Sequence, residues 1–243
     1  MVSISTRVNN MKAKLFFRNS AWVACAATAL MLVSVSPVQA KDAPPQVTDD
    51  GLQLTKSTKT RLVYVKPGAT FSQYDRVAIL DCYVEFEKNW ERDYNSSRVG
   101  LEGRVSDKDV ERIKTDLAAE FKKVFVDELQ NKGGYQVVDV AAPDVLLLRP
   151  ALLNVEVNAP DVMSADIGRT VVRSAGQMTL FLELWDPATK TLLARVMDAQ
   201  ADDEAFGQMA NRVTNKAAAD RILREWAEEL RKRLDTVKGK SEQ

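Results

Sequence analysis

Two runs of helical apolar spacing, set among runs of strand-like alternation, confine this chain to helices packed on a sheet. In the first run Val110, Ile113, Leu117, Phe121, Val124 and Leu129 recur every three or four residues and form one stripe. Ser106 and Asp109 have the spacing of a capping box, with Asp where Glu is usual, and Gly133-Gly134 supplies a glycine stop. In the second run Ile222, Leu223, Trp226, Leu230 and Leu234 share a face. Asn215 is placed to cap it, and Arg231-Lys232-Arg233 suits the negative end of its dipole.

Strand signals surround these helices. Residues 61–66 form a short apolar run closed by Pro67-Gly68, and 77–86 alternate with Ala78, Leu80, Cys82, Val84 and Phe86 on one face. Four more strands are expected at 135–140, 145–157, 177–185 and 191–199. Pro150 inside the second of these predicts a bulge or an edge position, because proline cannot donate to a ladder. The turn Asp186-Pro187-Ala188-Thr189-Lys190 joins the last two into a hairpin. The expected fold is α+β: a two-layer sandwich in which two amphipathic helices cover a mostly antiparallel sheet of about six strands.

The N-terminus reads as an export signal. Arg7, Lys12, Lys14 and Arg18 precede an apolar stretch at 21–35, Pro37 breaks it, and Val38-Gln39-Ala40 ends in the small residues a signal peptidase reads. The apolar stretch is about 15 residues, short of the roughly 20 that span a bilayer. Cleavage is expected after Ala40, and Met11 is an alternative start. Cys25 offers the alternative of a lipid anchor, but bulky Trp22 stands where a lipobox usually has Leu. The expected organisation is a signal peptide at 1–40, a flexible polar lead-in at 41–60, one domain at 61–237 and a polar tail at 238–243. The expected location is the periplasm, with membrane association only through a lipidated Cys25.

Without the four basic residues of the signal, 30 of the 34 Lys and Arg remain against 34 Asp and Glu, a net charge of −4. That balance and the lack of a basic block argue against a nucleic-acid partner. Cys82 is then the lone cysteine, so no internal disulfide forms and the domain stands on its core. Its place in an apolar strand pattern predicts a buried, inert thiol.

The chain has no histidine. Ser-His-Asp and Cys-His catalysis, His-ligated zinc and imidazole pH sensing are therefore ruled out. Phosphate-loop, dinucleotide-binding and nucleophile-elbow motifs are also missing from the sequence. No catalytic residue, cofactor or metal site is nominated, and the expected function is non-enzymatic. The densest acidic group, Asp198, Asp202, Asp203 and Glu204, has the ligand chemistry of a hard-cation site or of a solvated turn.

Two polar loops, 87–105 and 158–175, are the candidate contact surface. Trp90 and Tyr94 are candidate partner anchors, with packing onto their own domain as the alternative. Arg98, Arg104, Arg169 and Arg173 are candidates for an anion site between the loops, against ordinary solvated charge. Asn95-Ser96-Ser97 matches a glycosylation sequon.

The stretch from Leu62 to Ala69, then Tyr74-Asp75-Arg76-Val77, recurs in a known order with Gly176-Gln177-Met178-Thr179-Leu180, Leu193-Ala194-Arg195-Val196 and Arg224-Glu225-Trp226-Ala227. Over roughly residues 60–235 this order resembles the bacterial domain-of-unknown-function family 3313. The resemblance implies an envelope protein of bacterial origin, lipoprotein-like in many members, and supplies no site residues. The expectation is a periplasmic binding or assembly module for an envelope protein or component. A carboxylate-based, cation-dependent enzyme and a carrier of a small molecule, lipid or glycan are the alternatives. The carrier requires a hollow where Phe121, Phe125 and Trp226 meet the sheet.

Overall fold

The computed structural model describes residues 43–96, 103–157, 170–171, 176–201, 209–210 and 212–239. Strands β1 (Gln53–Ser57), β2 (Arg61–Val65), β3 (Arg76–Ile79) and β4 (Tyr83–Phe86) come first, followed by the short helix α1 (Trp90–Ser96). Helix α2 (Asp107–Val126) continues as one π-helical stretch, Asp127–Lys132. Strands β5 (Gln136–Val137), β6 (Val145–Val157), β7 (Thr170–Val171), β8 (Gly176–Asp186), β9 (Thr191–Ala201) and β10 (Met209–Ala210) precede the closing helix α3 (Arg212–Val237). No helix among the described residues is long and apolar enough to cross a membrane.

The main sheet has eight strands in the order β1-β2-β9-β8-β6-β3-β5, with β4 also paired to β6. It is mixed rather than mostly antiparallel. β3 and β4 run parallel to β6, and β3 runs parallel to β5. The cause is α2: a helix between two strands of one sheet returns the chain to its starting edge, so the next strand runs parallel. β7 and β10 form a separate two-stranded ladder.

The capping box forms as expected. The Asp109 amide bonds the Ser106 hydroxyl, and the Asp109 carboxylate accepts from the Ser106 amide at 3.1 Å. Phe121, Val124, Phe125 and Leu129 of the α2 stripe and Leu223 and Trp226 of α3 are buried against Leu146, Leu148, Leu152, Leu180 and Leu182 of the sheet. Each such side chain contributes about 1.5–3 kcal/mol through its burial. Asn215 lies inside α3 rather than at its cap.

Two strand expectations change. The run at 77–86 breaks into β3 and β4, and Pro150 explains the break. β3 pairs with β6 up to Ile79–Leu148, and the Leu80 amide still donates to the Leu148 carbonyl at 2.9 Å. The next bond of a parallel ladder would need an N–H on Pro150, which has none. Pro150 therefore sits within an interior strand, and its neighbour is interrupted instead of bulged. The polar segment read as a lead-in supplies β1 at the sheet edge, and Leu52 before it is fully buried with Tyr64 and Leu192.

Candidate ligand cleft

The sequence candidates fall in different places. Trp90 is buried, its indole N–H donates to the Val157 carbonyl at 3.2 Å, and its ring stacks on Phe86 at 4.3 Å. Tyr94 continues the stack at 5.8 Å from Trp90. These aromatics fasten α1 to the end of β6. The Asn95 side chain bonds both the amide and the carbonyl of Val105, closing the loop on itself at 2.7 and 2.8 Å. The sequon asparagine is thus engaged within the fold. Arg104 is exposed, while Arg98, Arg169 and Arg173 lie outside the described residues.

The acidic group is likewise divided. Asp198 is buried and accepts from Arg61 and from the Trp226 indole, each at 2.7 Å. Asp202, Asp203 and Glu204 lie outside the described residues. Among the described residues no cluster of three or more potential metal ligands occurs.

Phe121, Phe125 and Trp226 are buried against the sheet and line no part of the cleft, so the hollow that a carrier required at these residues is not where the core opens. Towards the N-terminal turns of α2 and α3 it opens into a half-open cleft of about 340 Å³. Ile113 and Leu117 of α2, Ala218, Ala219 and Ile222 of α3, and Met178 of β8 line it, with Val155 and Val157 of β6 at its end. The cause is local: Ala218 and Ala219 put small side chains where the next turns of α3 carry Ile222, Leu223 and Trp226. A cavity remains opposite Ile113 and Leu117. At the lip Gly176 approaches β6 so closely that an added Cβ would stand 2.3 Å from the Glu156 carbonyl oxygen.

Several polar groups of the rim are engaged within the fold. Glu120, almost fully buried, bonds Lys123 at 2.8 Å and faces Lys216 of α3 at 3.4 Å, tying the two helices at the cleft's inner edge. Burial pushes the Glu120 carboxyl up, but the two lysines outweigh it and hold the group below its ordinary value. Glu156 accepts from Gln177 at 2.6 Å, and Arg112 pairs with Asp109 at 3.1 Å. The arrangement offers apolar contact within a charged frame. Sequence reasoning centred on the loops missed this place, although the alanine run was its visible signal.

The sequence matches the family model described as "Protein of unknown function (DUF3313)" over residues 45–230. The chain belongs to this family. No curated protein matches the DUF3313 chain. Among solved structures it is similar to the PelC dodecamer from Paraburkholderia phytofirmans, at 11% identity and a TM-score of 0.37, covering 70% of this chain and 97% of that one. A single-site variant of PelC from the same organism gives 9% identity and a TM-score of 0.32, covering 68% and 95%. At these scores neither assigns a fold or a function to the DUF3313 domain.

Proposed function

We propose that this domain is a non-enzymatic binding module of the bacterial envelope, taking an apolar segment of an envelope partner into the cleft between α2, α3 and the sheet. One observation carries the reading: the buried core gives way at the alanine run to a cleft with an apolar floor inside a polar rim. A concave apolar site with a few fixed polar groups is the usual form of a binding site. Asp116 stands exposed on the rim, which favours a segment that carries a basic residue beside its apolar part. On this reading the N-terminal signal delivers the chain to the periplasm, Ala40 ends the removed segment, and Cys25 leaves with it.

Photocrosslinking in cells tests this. A photoreactive residue at Leu117 should capture a discrete protein, which Ala219→Trp, by filling the cleft, should abolish while thermal unfolding stays cooperative. The same background from Leu117 as from a probe at exposed Lys59 would reject the reading. An adduct of lipid mass on Leu117, with no protein band, would likewise reject it.

A further inference from the structure

Among the described residues, helices α2 and α3 pack on one face of the sheet. Met178, Leu180, Leu182 and Leu184 of β8 turn towards them, so the intervening residues of β8 lie on the other face. That outer face has its own small cluster of Leu52, Tyr64 and Leu192, to which no helix contributes. The strand registers set an apolar row across it, Tyr83–Ala151–Phe181–Met197–Leu62, running from β4 to β2. Beside it runs an ionic row. Arg149 lies opposite Glu183, Glu183 opposite Arg195, and Arg195 opposite Tyr64.

The ionic row is polar along its length. At the β6 end the Arg149 side chain is 66% exposed, though it reaches Glu183 at 3.5 Å. At the β1 end Arg195 is bound by Glu183 and Asp50, and Asp49 stands exposed beside Asp50. The turn carrying these two aspartates covers Tyr64 through Leu52, and Val47 before it is 55% exposed. At the opposite end of the face Leu80 and Tyr83 are 44% and 60% exposed. One end thus presents the exposed Arg149 beside an open apolar patch whose Tyr83 hydroxyl donates to Glu85, and the other presents the exposed Asp49 with a projecting apolar residue.

We propose that this outer face is the interface of a homodimer. A two-fold axis in the plane of the face, along β8 and β9, reverses the lateral order of the strands. Arg149 of one copy then meets Asp49 and Asp50 of the other, and Val47 meets the patch at Leu80 and Tyr83, each contact made twice. Such self-complementarity is what an isologous interface requires. The two sheets pack face to face, the aligned arrangement of two sheets in a sandwich. Six strands at ~4.8 Å spacing make the face about 24 Å wide, which suits an interface near the small end of stable ones.

Sedimentation of the full chain, purified as its host processes it, tests the dimer. The wild type should associate with increasing concentration. Tyr83→Lys and Arg149→Glu, both at exposed positions, should each weaken association by roughly tenfold or more while leaving the thermal transition in place. Adding Asp49→Lys to Arg149→Glu should restore association towards the wild-type level, which a merely structural defect would not do. A wild type that stays monomeric to its solubility limit overturns the proposal. So does undiminished association in both single variants, or a double variant no better than Arg149→Glu alone.

Discussion

At the scale of single residues, the acidic group after the hairpin shows how far chemistry read from sequence depends on direction. Asp198 has the ligand type of a cation site, but its alternation along β9 turns it inwards, where Arg61 and Trp226 hold it. Removing one partner of a buried pair strands the other. Asp198→Ala should therefore cost about 3 kcal/mol, with Asp198→Asn losing less because its amide oxygen still accepts from the indole. Urea unfolding of the two variants measures the difference. Cys82 was legible only in part: it is half-buried and stands in the break between β3 and β4 rather than within a strand, and the burial it has pushes its thiol up to about 12. Its alkylation at pH 8 should be slower than in the urea-unfolded chain by roughly a hundredfold or more, since the thiolate is the nucleophile. Trp90 was legible as one of two alternatives, and the packing onto its own domain is the one the fold displays. Its loop is polar by composition, and only the stack on Phe86 and the bond to Val157 reveal an anchor within the domain.

At the scale of elements, both long helices and the β8–β9 hairpin stood in the sequence because each carries its own period and its own stop signals. The box at the start of α2 adds a measurable term. Ser106→Ala removes the acceptor for the Asp109 amide and the hydroxyl that donates to the Asp109 carboxylate at 2.6 Å. The expected loss is about 1 kcal/mol, with Ser106→Thr close to neutral, measured by thermal or urea unfolding. β1 escaped notice because an edge strand need show little apolar alternation; Gln53, Thr55, Lys56 and Ser57 are all exposed. The break between β3 and β4 was legible only in part. Proline's missing N–H was plain in the sequence, but which neighbour would lose a bond depended on a register that only the folded sheet supplies.

At the scale of the whole molecule, strand direction and the cleft arise from elements meeting, so neither has a period of its own to read. The mixed sheet follows from where α2 returns the chain, and the cleft from an alanine run facing Ile113 and Leu117 across two helices. The titration behaviour of the fold, in contrast, begins in composition. With no histidine, nothing in the chain has an ordinary value between those of the carboxylates and that of the thiol, apart from the terminal amine. The carboxylates that shift move downwards: Asp109 through the Ser106 hydroxyl, Asp144 through Arg76, Asp127 through Asn131 and Arg224, Glu228 through Lys232, and Glu229 through Arg233. A carboxylate whose folded value lies below its unfolded one stabilises the fold fully above the unfolded value. That contribution is lost as pH falls through the folded value. The unfolded values are 3.8 for Asp and 4.5 for Glu. The melting temperature should therefore stay level from roughly pH 8 down to roughly pH 5 and fall progressively below that, as the downshifted carboxylates protonate. Differential scanning calorimetry across that range checks it. A distinct step near pH 6–7 would contradict it, since no side chain here has its ordinary value there.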